Sequence, residues 1–373
     1  MHRALATVDL EAVRHNVAGL RSGLAADSSL MAVVKANGYG HGAVAVAGAS
    51  LEGGAACLGV ATAAEAAELR AASLACPIIV LGPLTGSELK TALDADAEVI
   101  LWTLPFLKTL IAVARERERP APVHVKVDTG MRRLGIYPRD LPGMLDAVAT
   151  APEAELKGLM THFATADEDD DAFFRSQLKA FEDAAAAVMA TGAVVRLHCA
   201  NSAATIRYPQ SHFDMVRCGI AIYGLSPFQG DAAGEGLKPA LSLTSYLADI
   251  KPLAAGDSVG YGCTWTAAAA TNIGVVPIGY ADGVSRGLSN RGRLLAGGRS
   301  RPIVGRVSMD QITVDLGPGP GAARGDEVVL IGSQGQESVT AEEVAGLLGT
   351  INYEVTGNIS PRVERVYRGS GPA

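Results

Sequence analysis

Several side chains able to carry charge or move protons stand at the ends of short apolar runs in this sequence. Lys35 closes Ala32-Val33-Val34 and is followed at once by Ala36-Asn37-Gly38-Tyr39-Gly40-His41-Gly42. Lys126, Asp128 and Arg133 follow a second run, His162 a third, Asn201 and Ser202 a fourth, and Arg217 and Gly219 a fifth. Burial beside other cations lowers the pKa of a lysine, and the free amine can then form a Schiff base with a carbonyl. The glycines at 38, 40 and 42 are expected to let the backbone and Tyr39 approach a ligand closely. Asn201-Ser202, opening a short helix, and Gly219-Ile220, ending a run, can each present backbone amides to a phosphate. Taken singly, a lysine at a strand end is usually a solvated cap and a lone histidine a hydrogen-bonded structural group. Together at one rim they point to a site that gathers an anion and a reactive lysine.

The runs that carry these residues are Met31 to Lys35, Cys57 to Ala61, Ile78 to Gly82, Val99 to Thr103, Val123 to Val127, Leu156 to Thr161, Val194 to Cys199 and Met215 to Gly219. Segments of helical period lie between most of them, clearest at Ala63 to Ala72, Leu104 to Arg119 and Ala172 to Ala190. Strand and helix in regular alternation predict an α/β (β/α)8 barrel of the TIM type, whose chemistry sits at the carboxyl ends of the strands. Beyond the Gly- and Ala-rich segment 229–236 the texture changes to short strand-like runs, such as Ile273 to Ile278 and Glu327 to Ile331, broken by turn residues. The expected domains are therefore a barrel over residues 1–235, with the first residues free to pair with the second domain, and a mainly-β domain over 236–373.

Composition narrows the function classes. With 373 residues, 48% of them hydrophobic, the chain has ample material for two cores. A formal net charge of -7 disfavours nucleic acid and anionic membrane as partners. No apolar run reaches the ~18–20 residues of a membrane span, and the first ten residues lack a signal-peptide pattern, so a cytoplasmic protein is expected. Cys57, Cys76, Cys199, Cys218 and Cys263 are widely spaced, form no CxxC pair and read as buried or free thiols, with no metal site expected.

The stretch Val34 to Gly42 resembles the cofactor-lysine motif of the alanine racemases. Further segments resemble that family in the same order: Lys126 to Met131 with Arg133-Leu134-Gly135, Thr161 to Ala164, Ala200 to Ala204, Val216 to Ile220, Val259 to Gly262 with Thr264-Trp265-Thr266, Pro277 to Gly283, Gly305 to Asp310, and Ile351 to Glu354. The likeness spans nearly the whole chain. Two departures are Ser308, where cysteine is common, and Glu364, where proline is often seen.

The resemblance implies a pyridoxal 5'-phosphate enzyme that interconverts L- and D-alanine and supplies D-alanine for peptidoglycan. It implies that Lys35 holds the cofactor, with Tyr39, Ser202, Gly219, Ile220 and Tyr353 around the phosphate, Arg217 facing the pyridine nitrogen, and Asn201 and His162 among the cofactor-binding residues. Arg133, Met309 and Tyr280 are implied in substrate binding, and Lys126 is marked as the lysine that is carbamylated in many members. Lys35 and Tyr261 are implied as the two bases, with Tyr261 and Met309 reaching the site from the other subunit of a homodimer with shared active sites. A phenol is a poor base at neutral pH, and His162 and Arg217 are expected to supply the positive field it needs. Arg217 cannot give up its proton to the ring nitrogen, which is expected to suppress transamination.

The rival readings are a racemase acting on serine or larger side chains, a decarboxylase on the same plan, and a non-catalytic carrier of the cofactor. Tyr261 and the absence of an acid-bearing Cys-Glu-Ser-type motif argue against the second, and a carrier has no use for a second base.

Overall fold

The computed structural model describes residues 2–319 and 321–369; residues 1, 320 and 370–373, which fall within the expected domain spans, lie outside the described residues. The chain divides into two compact units, one formed by residues 13–38 and 43–238, the other by residues up to 12, 39–42 and 239 onward. Strand β1 (Leu5–Asp9) belongs to the second of these and runs directly into the helix Leu10–Ser22.

The larger unit is built on eight parallel strands, β2 (Ser29–Val33), β3 (Cys57–Val60), β4 (Ile78–Val80), β5 (Glu98–Leu101), β6 (Ala121–Lys126), β7 (Ala154–Met160), β8 (Arg196–His198) and β9 (Met215–Cys218). Their hydrogen-bonded order is β8-β7-β6-β5-β4-β3-β2-β9. Asp214 N donates to Leu197 O (3.1 Å) and Arg217 N to Ala200 O (2.9 Å), which brings the two ends of the sheet together as a barrel. Every residue of β3, β4 and β9 is buried, as parallel strands covered on both faces require.

All eight expected runs are strands, with shifted ends. Lys35 lies two residues past β2, and Val194, expected to open a strand, is 97% exposed while β8 starts at Arg196. There the β propensity of Val194 yields to its place just after the Thr191-Gly192 turn. Helix starts are written locally. Thr62 and Glu65 form a capping box on the helix Ala63–Ala71, and Thr85 and Glu88 do the same on Gly86–Asp94.

The smaller unit is mainly β. Its strands are β10 (Leu241–Tyr246), β11 (Asp249–Leu253), β12 (Ser258–Val259), β13 (Trp265–Thr266), β14 (Thr271–Val276), β15 (Arg293–Ala296), β16 (Arg299–Pro302), β17 (Ile312–Gly317), β18 (Glu327–Gln334), β19 (Glu337–Val339) and β20 (Glu364–Arg368). One sheet has the order β16-β15-β18-β10-β1-β20, with β19 on β18; β11-β14-β17 make a second, and β12-β13 a two-stranded ribbon. β1 pairs antiparallel with β10 and parallel with the edge strand β20, so the amino-terminal strand is an interior strand of this sheet. Strands β10 and β17 alternate buried and half-buried residues, the period-2 pattern of sheets with one covered face.

Candidate functional site

The chain leaves β2 through an unusual turn. Residues 36–40 all have positive φ, of 53°, 51°, 60°, 52° and 86°, so Ala36, Asn37 and Tyr39 hold a left-handed conformation that costs a non-glycine residue about 1–2 kcal/mol each. Hydrogen bonds offset that cost. Gly38 N donates to Val34 O (2.9 Å), Ala43 N to Asn37 Oδ1 (3.0 Å), and Ala36 N to Glu65 Oε1 (2.6 Å). The other oxygen of Glu65 accepts from Ala61 N (2.8 Å) and Thr62 N (3.1 Å), so one carboxylate both caps a helix and fixes the residue after Lys35. A Thr-x-x-Glu capping box is visible in the sequence, but its second duty was not.

Two of the glycines after Lys35 are also required by packing within the protein. A Cβ at Gly40 would overlap the Thr356 carbonyl, and one at Gly42 the Tyr367 hydroxyl. Arg365 Nε donates to Gly40 O (3.1 Å), tying this loop to β20. Within the same unit the rings of Tyr39 and Tyr353 lie 6.0 Å apart.

In the larger unit, Lys35, Lys126, Asp128, Arg133, His162, Ser202 and Arg217 all fall at or beyond the carboxyl ends of barrel strands. Arg217 is buried, and its hydrogen bonds run to neutral groups: Nη1 donates to His198 O (2.8 Å), and Nη2 to Thr161 O (2.8 Å) and Cys199 O (3.0 Å). Among the described residues no carboxylate pairs with it. Burial draws its pKa down to about 10, which leaves it charged at neutral pH. Burial and the neighbouring Arg217 and Arg133 bring Lys126 down to about 8, against the pull of Asp128. Lys35, half-buried, is lowered by burial and by Arg133, with Glu65 opposing. The mouth therefore holds more positive than negative charge, and an anionic ligand is what it suits.

His162 is not a source of positive field, contrary to expectation. Its surroundings and the cations Arg217, Lys126, Arg133 and Lys35 push its pKa well below the ordinary value, so the ring is neutral. Its Nδ1 lies 3.2 Å from Arg217 Nη2 and must accept, because a guanidinium only donates.

Asn201 uses its side chain as a helix cap, accepting from Ala204 N (2.9 Å) at the start of the helix Ser202–Arg207. Ser202 Oγ accepts from Gly219 N (2.9 Å) and Ala221 N (3.4 Å), so hydroxyl and amide meet where β8 and β9 end. Ile220 buries its side chain.

The remaining expected site residues belong to the smaller unit and are exposed: Tyr261 by 72%, Met309 by 53% and Tyr280 by 43%. Tyr261 opens a turn between β12 and β13, flanked by Gly260 and Gly262 with φ of 73° and 74°. Tyr280 N donates to Ser308 O (3.0 Å) and Ala281 N to Met309 O (3.0 Å), so the loops bearing Tyr280 and Met309 are joined.

Sequence reasoning also missed His198 and His124, which are wholly buried and whose pKa values burial lowers, that of His198 far below the ordinary range. A histidine kept neutral in the fold takes up a proton on unfolding once the pH drops below its unfolded value of ~6.5. Stability is therefore full above ~6.5 and falls as the pH drops towards the lower folded values, by up to ~1.4 kcal/mol per pH unit for each imidazole. Urea midpoints measured from pH 7 to 5.5 should show this decline, and His198→Asn should make it shallower by one imidazole. A variant that declines as steeply as the parent would disprove a neutral His198.

Two family models cover the chain, the alanine racemase N-terminal domain over residues 8–227 and the alanine racemase C-terminal domain over residues 240–367. The chain is 44% identical over 370 residues to the alanine racemase of Symbiobacterium thermophilum, covering 99% of this chain and 98% of the relative. It is 45% identical over 371 residues to that of Mycobacterium tuberculosis, covering 98% and 96%. Among solved structures it is similar to alanine racemase from D-cycloserine-producing Streptomyces lavendulae, with a TM-score of 0.95, 42% identity and coverage of 99% and 98% of the two chains. It is likewise similar to the Bacillus anthracis alanine racemase with bound L-Ala-P, with a TM-score of 0.92, 38% identity and coverage of 100% and 96%. With both domains matched and identity above 40% along its whole length, this chain belongs to the alanine racemase family.

Proposed function

We propose that this protein interconverts L- and D-alanine with pyridoxal 5'-phosphate, in the cytoplasm, and so supplies D-alanine for peptidoglycan. The observation that carries the reading is the mouth of the barrel, where an amine, Lys35, stands among cations with too few carboxylates to balance them. A phosphate monoester and a substrate carboxylate are the charges such a donor set fits. The cofactor, when bound, supplies the electron sink that makes a Cα proton removable.

The chain's own residues then divide the work. Lys35 holds the cofactor and moves the proton on one face; Tyr261 of the partner subunit moves it on the other. Ser202 Oγ, the amides of Gly219 and Ile220, and the hydroxyls of Tyr39 and Tyr353 hold the phosphate, with Asn201 shaping the helix start that carries Ser202. Arg217 would serve the ring nitrogen as a donor that keeps its protons, and neutral His162 steadies the guanidinium by accepting from it. Arg133, Tyr280 and the partner subunit's Met309 meet the substrate.

Incubated with L-alanine in deuterated water, the protein should lose optical rotation and gain α-deuterium together, at least ten times faster than with L-serine. Equal rates would favour the broader racemase, and no exchange with alanine would end the assignment. Borohydride reduction should fix the cofactor on the peptide containing Lys35.

Lys126 is the residue we assign to carbamylation, since only a free amine adds carbon dioxide and its pKa is drawn down to about 8. With 13C-bicarbonate, a carbamate signal absent from Lys126→Ala should grow as the pH rises through 8. A parent spectrum identical to that of the variant would remove the assignment.

The exposure of Tyr261, Tyr280 and Met309 supports a homodimer in which these side chains complete the partner's site. Lys35→Ala and Tyr261→Phe should each be nearly inactive, yet on dissociation, mixing and reassociation roughly a quarter of all sites should recover both bases. Heterodimers seen by mass spectrometry without recovered activity would place both bases on one chain.

A further inference from the structure

A line of buried polar side chains crosses the interior of the barrel from Arg217 to the amino end of β5. Arg217 Nη1 lies 3.3 Å from His198 Nδ1, His198 Nε2 lies 2.9 Å from His124 Nδ1, and His124 Nε2 lies 2.5 Å from Glu98 Oε2. Arg196 Nη2 donates to both oxygens of Glu98, at 2.9 and 2.6 Å. The four groups come from β9, β8, β6 and β5, and the strand between β8 and β6 is β7. At the crossing point β7 carries Gly158, where a Cβ would overlap the His124 ring. That missing side chain is what lets two imidazoles on strands that are not neighbours meet edge to face, with centroids 4.9 Å apart.

The chemistry of the two ends fixes every proton between them. A guanidinium can only donate, so His198 Nδ1 accepts; an ionised carboxylate can only accept, so His124 Nε2 carries its hydrogen. One hydrogen then remains for the contact between the rings, and it sits on His198 Nε2. Both imidazoles are neutral Nε2–H tautomers, and all donors point from Arg217 towards Glu98. Burial of both rings favours the same neutral state.

We infer that Glu98, at the far end of the barrel, is a positioning residue for Arg217, holding the guanidinium in place by fixing the tautomers of His124 and His198. Without an acceptor at position 98, His124 is free to carry its hydrogen on either nitrogen, and in the Nδ1–H form it meets the hydrogen on His198 Nε2. His198 then has either to lose that bond or to turn a hydrogen towards Arg217, which has no lone pair to receive it. The effect on turnover rests on the reading of Arg217 given above; the effect on the tautomers does not.

The test uses the loaded enzyme with 15N-labelled histidine and long-range 1H–15N spectra, alongside steady-state kinetics. In the parent, His124 and His198 should both report Nε2–H. Glu98→Ala should shift or average the His124 and His198 signals and lower kcat for alanine about tenfold, with KM changed less than twofold. Glu98→Gln, which restores an acceptor of the same size, should return the tautomer signals and most of kcat. A loss of folding alone would not be rescued in this paired way. An Nδ1–H tautomer at His198 in the parent, or unaltered histidine signals in Glu98→Ala, would overturn the proposal. Altered signals with unaltered kcat would overturn the positioning of Arg217 by Glu98, while leaving the tautomer chain in place and the role of Arg217 itself untouched.

Discussion

A guanidinium buried without a carboxylate partner is expensive unless its donors find acceptors, and Arg217 sets its two terminal nitrogens against three backbone carbonyls and two imidazole nitrogens. Much of the mouth follows from this choice. A carboxylate there would neutralise the site; carbonyls and neutral rings satisfy the hydrogen bonds and leave the charge in place. Burial and then that charge depress Lys126, which stands near 8, while burial and Arg133 lower Lys35. It also requires that His162 and His198 stay unprotonated at Nδ1, because a donor facing a donor would break the set.

The neutrality of these histidines links stability to the site. Three strands of the barrel contribute rings or carboxylates that have no apolar substitute, since replacing any one leaves a buried polar atom unmatched. Glycine at 158 is part of the same arrangement, because the ring of His124 occupies the volume a side chain would take. A barrel interior is usually a stack of branched apolar side chains, and here a directed chain of hydrogen bonds runs through it.

Around Lys35 the constraint is conformational. Three non-glycine residues in left-handed geometry are held by bonds to Glu65, Asn37 and Val34, so the position of the lysine depends on a carboxylate from the helix after the next strand. Tyr261, Tyr280 and Met309 show the opposite condition, with large side chains left in solvent on loops that their own backbones hold firmly.

The eight parallel strands, the change to a mainly-β unit after the barrel and the family were legible in the linear string, because hydrophobic period, turn residues and contiguous motifs are local quantities that survive in it. It also marked Lys35, Arg133, His162 and Arg217 as rim residues, since their place at strand ends follows from the fold class. The tertiary structure alone decided that residues 39–42 group with the β unit, that Gly40 and Gly42 make room for Thr356 and Tyr367, and that His162 is neutral. It alone joined Glu65 to Ala36 and Glu98 to Arg217. Those facts depend on which strands are neighbours and on how much water each group loses, and both are set by residues tens to hundreds of positions apart.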